Sequence, residues 1–420
     1  MEQTTKKLWN KNFSLLVIGQ IMSIFGNMVV TAVMPFHILN ISESAFLYGL
    51  AMGLPVISLL IVTPIGGIIA DRFKKHRIMF WLDVSITAVI VVYMLISGLF
   101  TEVVPLVIVK LLAFNAIQSV YMATTASSVP ALVPSDKLTS GNAILMVINT
   151  LSMSGGMAIA GIMYDRFGLL PILIGCAICF GITAVADLFI RVPYKKQETS
   201  GNVAQIVKND LSASFKFMLK ENPSIAKCII PLFLVEFLFG SMIFIGLPVL
   251  ITTHLGFSMT YVGIASSIIM LGGVIGGVVA GVLGKRLNIL RGFLSLAIAS
   301  VFSIAMGLVF LFDVPNMVAY IVLTVAGVAF IISVKILGIA MITFVQQETP
   351  IELIGKVMSV GMTAPFIGQA IGYPLIGMLF HQFSDSPWIV IFGAVLATII
   401  MSVYKYHQFK NIGRTGNATE

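Results

Sequence analysis

The stretch Ile65-Gly-Gly-Ile-Ile-Ala-Asp-Arg-Phe-Lys-Lys-His-Arg77 joins an apolar segment rich in small residues to a run of charged residues. Its apolar part returns 210 residues later as Ile275-Gly-Gly-Val-Val-Ala280. A second similarity, between Gly161-Ile-Met-Tyr164 and Gly377-Met-Leu-Phe380, has an offset of 216 residues. Because similarity at a nearly fixed distance indicates an internal repeat, we predict two halves of related structure.

The chain around these repeats is too apolar for a soluble domain. Of its 420 residues 58% are hydrophobic and 10% are charged, and the mean hydropathy is +1.03. A helix needs about 20 mostly apolar residues to cross a bilayer. Twelve such stretches are predicted at 13–38, 46–70, 78–100, 103–128, 140–164, 169–190, 226–252, 259–283, 290–312, 316–345, 357–382 and 387–404. The predicted fold class is an all-α polytopic membrane protein with two pseudo-symmetric halves of six helices.

The basic residues orient these spans, because positive residues near short loops stay on the cytoplasmic side. If the N-terminus is cytoplasmic, only three of the 25 lysines and arginines lie elsewhere: Arg166 outside, and Lys110 and Lys335 within spans. We therefore predict an inner or plasma membrane protein with both termini in the cytoplasm. The net charge of +8 then comes from loops that face anionic lipid, and we expect no nucleic-acid partner.

A polar stretch at 191–225 separates the predicted halves, 1–190 and 226–420. Within it, apolar residues recur at helical spacing at Val203, Val207, Leu211, Phe215 and Met218. This pattern predicts a basic amphipathic helix on the cytoplasmic membrane surface. A plain tether between the halves is the alternative.

Small residues at four-residue spacing indicate places where helices approach closely in lipid. They occur in every third span, at Gly49/Gly53, Ser152/Gly156/Ala160, Gly273/Gly277/Gly281 and Gly368/Gly372. Plain packing explains each pair alone. Their equivalent places in the two halves suggest a common interface that allows the halves to rock.

The charged end of the opening stretch, Gly67-Ile-Ile-Ala-Asp-Arg-Phe-Lys-Lys-His-Arg77, resembles the signature loop of the major facilitator superfamily, G-x-x-x-D-R-x-G-R-[KR], with Lys74 in place of the usual glycine. The resemblance covers nearly the whole chain and implies a secondary transporter. It also implies that Gly67, Asp71 and Arg72 form a gate in which the Asp71 carboxylate caps a helix N-terminus across the cytoplasmic interface. A loop that only sets topology is the alternative.

Two further connections, Leu132–Asn142 and Gln347–Ser359, resemble one branch of this superfamily. That branch contains macrolide-efflux-type exporters, siderophore exporters and lysophospholipid transporters. The antiporter motif of many exporters, G-P-x-x-G-G, reads Gly156-Met-Ala-Ile-Ala-Gly161 without its proline, and Phe114 replaces an arginine often found in the fourth helix. Export is thus favoured by the branch and is not secured by these motifs.

Five charged residues lie at least three residues inside the ends of the predicted spans, namely Asp83, Lys110, Asp187, Glu236 and Lys335. Each needs an explanation, since a charge at mid-bilayer costs about 2.5–3.5 kcal/mol on insertion scales. We assign structural roles to Asp83 and Asp187, because they lie near cytoplasmic helix ends where we expect water and basic neighbours.

The resemblance places Lys110, Glu236 and Lys335 on cavity-lining helices. Glu236 and Lys335 have similar depth, so they are candidates for a pair. One interpretation makes Glu236 the protonatable coupling site, with the two lysines as charge partners or substrate contacts. The alternative is an ion pair that fixes helix register, with Lys110 extending toward the outer surface.

Other polar residues in the spans are candidates for the substrate cavity. Their amide side chains offer hydrogen bonds, and flexible Met and flat Phe side chains adapt to varied apolar ligands. The candidates are Gln20, Asn27, Asn115 and Gln118, and Asn149 and Gln369 lie in comparable positions.

Motifs for other kinds of chemistry are missing from the sequence. Gly284-Lys285 and Gly355-Lys356 are not followed by Ser or Thr, so there is no P-loop, and there is no HExxH. We expect neither enzymatic activity nor a metal or cofactor. The prediction is a monomeric, proton-coupled exporter of amphipathic or drug-like molecules, surrounded by membrane lipids. The alternatives are a lysophospholipid or lipid-metabolite transporter of the same fold and, in another class, a membrane sensor or scaffold.

Overall fold

A computed structural model of the chain describes residues 9–99, 103–134, 137–190, 212–312 and 314–416. These residues contain no strand, and twelve of their helices are long and apolar enough to cross a membrane. The predicted all-α polytopic fold is therefore confirmed. The first six helices are α1 (Lys11–Ser42), α2 (Ala45–Arg72), α3 (Lys75–Ser97), α4 (Val103–Leu132), α5 (Leu138–Phe167) and α6 (Leu169–Leu188). The second six are α7 (Pro223–His254), α8 (Met259–Leu283), α9 (Ile289–Leu311), α10 (Asn316–Glu348), α11 (Ile351–Gln382) and α12 (Pro387–Gly416).

Helices are the structure that this sequence requires, because every backbone polar group inside lipid must be bonded within its own segment. Short polar or glycine-containing turns end them. Gly168 alone connects α5 to α6, with the positive φ of 70° that glycine tolerates best. At the start of α7, the Asn222 side chain accepts a hydrogen bond from the backbone N–H of Ser224, next to Pro223.

Helix α7 departs from regular α geometry at Glu236. Residues Pro223–Val235 are α-helical, whereas Glu236–Gly240, Met242–Gly246 and Leu250–His254 have π-helical hydrogen bonding. The Ser241 hydroxyl donates to the carbonyl oxygen of Glu236 over 2.7 Å. Single π turns in helices are often found at functional sites. This irregularity was not predicted from the sequence.

One compact unit comprises Met1–Ile41 and Leu54–Val203. In it, α3 packs against α4 and α6, and α1 contacts α5 and α6. The α1–α5 contact is close, since a Cβ at Gly156 would lie 2.6 Å from the Met28 Cβ. Side chains from α1, α3 and α4, together with Ile190, form a buried apolar cluster, which we call the end cluster: Phe13, Leu16, Val17, Met79, Tyr121, Val129, Leu132, Val133 and Ile190.

The other compact unit comprises Ser42–Gly53 and Ala204–Glu420. In it α9 packs against α10 and α12, α8 against α10, and α11 against α7. The first turns of α2 group with this unit, where the Tyr48 hydroxyl donates to the Phe244 carbonyl over 3.5 Å. The predicted division at 191–225 remains a prediction, because residues 191–211 lie outside the described part of the chain.

Only the end of the predicted amphipathic helix is described. Residues 212–216 are helical and Phe217–Glu221 form a π turn. Phe215 is exposed whereas Met218 is buried, so these two residues do not share one environment. Val203, Val207 and Leu211 lie outside the described residues.

The glycine stripe of α8 packs in a different register from the predicted one. Of the predicted glycines, Gly273 contacts side chains of α10, whereas Gly277 and Gly281 face open space. The closest contacts are those of Gly272 and Gly276, which lie against the backbone of α10. Sequence spacing alone allowed both stripes, because α8 carries glycine pairs at 272–273 and 276–277. The predicted glycines of α2, α5 and α11 do contact a neighbouring helix.

Candidate functional site

The Glu236 carboxyl group lies between α7 and α11. The Gln369 side-chain amide donates to its Oε2 over 3.1 Å. Gly368 allows this approach, since a Cβ there would lie 2.5 Å from the Phe233 carbonyl oxygen and 3.3 Å from the Glu236 Cβ. Gly240 lies beside the carboxyl group on the following turn. A neutral amide is therefore the hydrogen-bond partner of this acid.

Lys335 does not form the suggested pair with Glu236. Its side chain is exposed and lies against α8, where a Cβ at Gly273 would be 3.3 Å from the Lys335 Cε. Glu236 instead faces α11, so the two charges interact only through longer-range electrostatics. Similar depth along the two helices is therefore not enough for a pair, because Glu236 bonds to α11 whereas Lys335 lies against α8.

Lys110 is enclosed in the first unit and does not extend to the surface. Its side chain is 4% exposed, and its Nζ has no hydrogen-bond acceptor among the described residues. The Nζ lies 5.5 Å from the ring centre of Tyr93 and 5.7 Å from that of Phe114. Both distances are typical of cation–π contacts. Phe114 thus forms part of the lysine's enclosure.

Two of the predicted cavity residues are buried within the first unit. The Gln20 side chain donates to the Thr125 hydroxyl over 3.3 Å. Gln118 is also buried, and its Oε1 has no donor among the described residues. Gln20 therefore has an internal partner, whereas Gln118 keeps a free acceptor.

The other two cavity candidates are half-buried. Asn27 accepts a hydrogen bond from the Thr31 hydroxyl over 3.3 Å, and Asn115 donates to the Leu111 carbonyl over 3.0 Å. Both bonds lie within a single helix, so they leave part of each amide available to another group.

The predicted gate residues Gly67, Asp71 and Arg72 lie on the last turns of α2 and not in a loop. The connection to α3 consists of Phe73 and Lys74 alone. The side chains of Asp71 and Arg72 lie outside the described part, so the gate remains a prediction.

Asp83 and Asp187 were not predicted to be neighbours, but the structure brings them together. Both side chains are 0% exposed, and their carboxyl groups lie within hydrogen-bond reach of each other. The expected contact with water is therefore wrong, whereas Arg191, the basic residue four positions after Asp187, lies outside the described residues. Two acids in apolar spans were the available signal, but the sequence could not show that α3 packs against α6.

An apolar cavity of about 200 Å³ lies between α7, α11 and α12. Phe237, the residue after Glu236, forms part of its wall and stacks on Phe233 with 5.6 Å between ring centres. Leu375 and Leu379 line it from α11 and Ala394 from α12. The acid and the apolar space thus lie on neighbouring positions of the same irregular helix.

The comparisons with known proteins agree with this architecture. The family model of the Major Facilitator Superfamily matches residues 16–373. No curated protein sequence matches the chain. Similar solved structures include a mutant of the nucleoside transporter NupG (TM-score 0.77, 12% identity, 95% of this chain and 100% of that chain). Others are a peptide transporter POT mutant with alafosfalin (0.73, 14%, 96% and 95%) and a bacterial homologue of the iron transporter ferroportin (0.72, 14%, 94% and 98%).

These identities show a shared fold and no shared substrate. The family match covers most of the chain, and the twelve apolar helices agree with it. The chain is therefore a multi-pass membrane transporter that belongs to the major facilitator superfamily.

Proposed function

We propose that the protein is a proton-coupled exporter of amphipathic small molecules, and that Glu236 is the group that takes up the proton. The observation that carries this proposal is the hydrogen bond between the Glu236 carboxyl group and the neutral amide of Gln369. No lysine, arginine or histidine pairs with Glu236 among the described residues. An acid in a spanning helix is costly when ionised, so it is retained where its charge has a use.

A glutamine partner suits a proton-accepting acid better than a lysine does. The amide NH₂ donates to the ionised carboxylate, whereas the amide oxygen accepts from the protonated carboxyl group after a flip of the amide. A lysine would favour the ionised form alone. The Glu236–Gln369 contact therefore supports both protonation states of the coupling step.

The π segment that begins at Glu236 offers a link between protonation and helix movement. The Glu236 carbonyl accepts from the backbone N–H of Ser241, five residues later, and also from the Ser241 hydroxyl. Shifts between π and α bonding move the residues that follow by a fraction of a turn. Proton uptake would therefore alter the contact of α7 with α11, as alternating access requires.

An amphipathic substrate agrees with the side chains around this site. The nearby cavity is lined by apolar groups. Within the first unit, the half-buried amides of Asn27 and Asn115 offer hydrogen bonds and remain candidates for substrate contact. Export and a cytoplasmic location of both termini are supported by the branch resemblance and the basic loops. One proton moving through ~100 mV supplies about 2.3 kcal/mol, enough for a concentration ratio of roughly 50.

The test is transport by purified protein in liposomes with an imposed pH gradient. Dyes, macrolides, siderophores and lysolipids serve as separate probes. We expect gradient-dependent movement of at least one amphipathic probe, and no movement when the gradient is collapsed by an ionophore. Lysolipid transfer at a rate that does not depend on the pH gradient would instead support the lipid-transporter alternative. Binding of probes without any movement would support a sensor.

A further inference from the structure

A second pair of acidic groups lies in the first unit, away from the residues assigned to coupling above. Asp83 is on the third turn of α3 and Asp187 is on the last turn of α6. Both are 0% exposed, and each carboxyl group is within hydrogen-bond reach of the other. The packing of α3 on α6 holds them together.

The pair is sealed on the sides that the structure describes. Helix α1 covers it, because a Cβ at Gly19 would lie 3.9 Å from an Asp187 oxygen and 3.5 Å from the Thr183 methyl group. The end cluster, which includes Met79 one turn before Asp83 and Ile190 one turn after Asp187, separates it from the helix ends. Water therefore has no direct contact with either carboxyl group.

Among the described residues, no positively charged group is paired with either carboxyl group. Helix α1 contributes Gln20 and Ser23 and α4 contributes Tyr121, and all three are uncharged. Lys75 is the nearest lysine on α3 and donates to the Ser127 carbonyl. As carboxylates, Asp83 and Asp187 have no hydrogen-bond donor to any of their four oxygens among the described residues.

Two hydroxyl groups at the pair are also unpartnered and buried. The Tyr121 hydroxyl interacts with both acids and lies near Ser23 and Gln20. Tyr121 is 2% exposed and Ser23 is fully buried. Neither hydroxyl group has a hydrogen-bond partner among the described residues. These hydroxyl groups are free to donate or accept as the charge of the pair changes.

We propose that Asp83 and Asp187 form a proton-binding site in which the two carboxyl groups share one proton at neutral pH. Two like charges in direct contact and away from water cannot both persist. One added proton removes that repulsion, and it supplies the hydrogen bond that the carboxylates otherwise lack. The proton belongs to the pair and not to one residue.

A proton fits this site better than a metal ion does. The two carboxyl groups supply four oxygen atoms, whereas Ca²⁺ would need six to eight oxygen ligands. No group of three metal-ligating residues was found in the described part of the chain. Since α1 and the end cluster cover the pair, the proton can exchange only when these helices part. The site therefore links protonation to the conformation of the first unit.

Infrared spectroscopy of the full-length protein in detergent tests this proton site without a substrate or a pH gradient. The result therefore does not depend on whether the export proposal is correct. The spectra are recorded on the Glu236→Gln variant, which lacks the other acid that we propose to hold a proton. We expect a protonated-carboxyl band at neutral pH that disappears in both Asp83→Asn and Asp187→Asn. The asparagine amide then donates to the remaining carboxylate, which can stay ionised. Absence of any such band from the Glu236→Gln protein overturns the proposal even if the aspartate variants do not fold.

Thermal or denaturant unfolding at several pH values gives the second readout. Above about pH 5 the unfolded chain has both aspartates ionised, whereas the folded chain holds the shared proton. The folded state thus binds one more proton, so stability decreases as pH rises until the pair releases it. The unfolding equilibrium constant should rise about tenfold per pH unit from this site.

Asp83→Asn and Asp187→Asn should each lose that tenfold dependence. Equal pH dependence in the parent and in both variants would refute proton sharing. Sodium chloride and choline chloride provide a further comparison at fixed pH. Stabilisation by sodium alone, with a flat pH response, would show a cation site and overturn the proton assignment.

Discussion

Replacement of two adjacent glycines of α8 by alanine should have opposite effects on stability. A Cβ at Gly276 would lie 2.7 Å from the Ile332 carbonyl oxygen and 2.9 Å from the Lys335 Cβ. At Gly277, nothing lies within 4 Å of such a Cβ. Gly276→Ala therefore forces α8 and α10 apart, whereas Gly277→Ala adds a methyl group to open space.

The difference between the two variants isolates the packing cost. Both replacements gain the same helix-propensity term, about 1 kcal/mol in water, and this term cancels in the comparison. Carbon atoms prefer separations of ~3.5–4.0 Å, so the Gly276 site must open by several tenths of an ångström. Overpacking of this kind costs typically ~1–3 kcal/mol. We expect Gly276→Ala to be less stable than Gly277→Ala by that amount.

Reversible denaturant unfolding in mixed micelles measures this difference directly. Both variants differ from the wild type by one methyl group at neighbouring positions of one helix, so each is the control of the other. Equal stability of Gly276→Ala and Gly277→Ala would refute the close contact of α8 with α10. The same result would remove the reason given for the position of the Lys335 side chain.

Three further predictions concern charge and topology. Lys110→Met should stabilise the fold by about 1–3 kcal/mol in the same assay, because loss of an unpaired buried charge outweighs loss of its ring contacts; destabilisation would show an undetected partner. Single cysteines placed before α1, in 195–200 and after 405, in a chain without native cysteines, should react with an impermeant reagent only after permeabilisation, and labelling from outside would invert the topology. Asp71→Asn removes a helix-terminus interaction of about 0.3–1 kcal/mol, so labelling of cytoplasm-facing cavity positions should rise roughly two- to fivefold. Unchanged labelling would show that Asp71 is not part of the gate.

The helices themselves were predictable because hydrophobic length and backbone bonding dictate them in lipid. The same uniform apolarity hides the rotation of each helix, since no polar face marks the side that packs. Gly276 and Gly277 illustrate this, because the sequence offers both glycines and the contact with α10 selects one. The contact of Lys335 was hidden for the same reason, since its side chain lies against the same face of α8 and not against Glu236.

The candidate acids were recognisable because charge in a span is rare, but their partners depended on tertiary packing. Gln369 was noted as a polar residue, and its bond to Glu236 follows only from the close approach of α11 at Gly368. Asp83 and Asp187 are 104 residues apart in the sequence, and the contact of α3 with α6 unites them. No motif in the sequence indicates the π segment after Val235.

The most direct test of the export proposal compares Glu236→Gln with wild type in the same liposomes. The matched control is Glu221→Gln, which makes the same chemical change at an exposed residue before α7. We predict that Glu236→Gln still binds and passively exchanges the transported probe but loses its response to an imposed pH gradient, whereas Glu221→Gln behaves as wild type. A full response of Glu236→Gln to the gradient would contradict the account, because the coupling proton would then travel through another group.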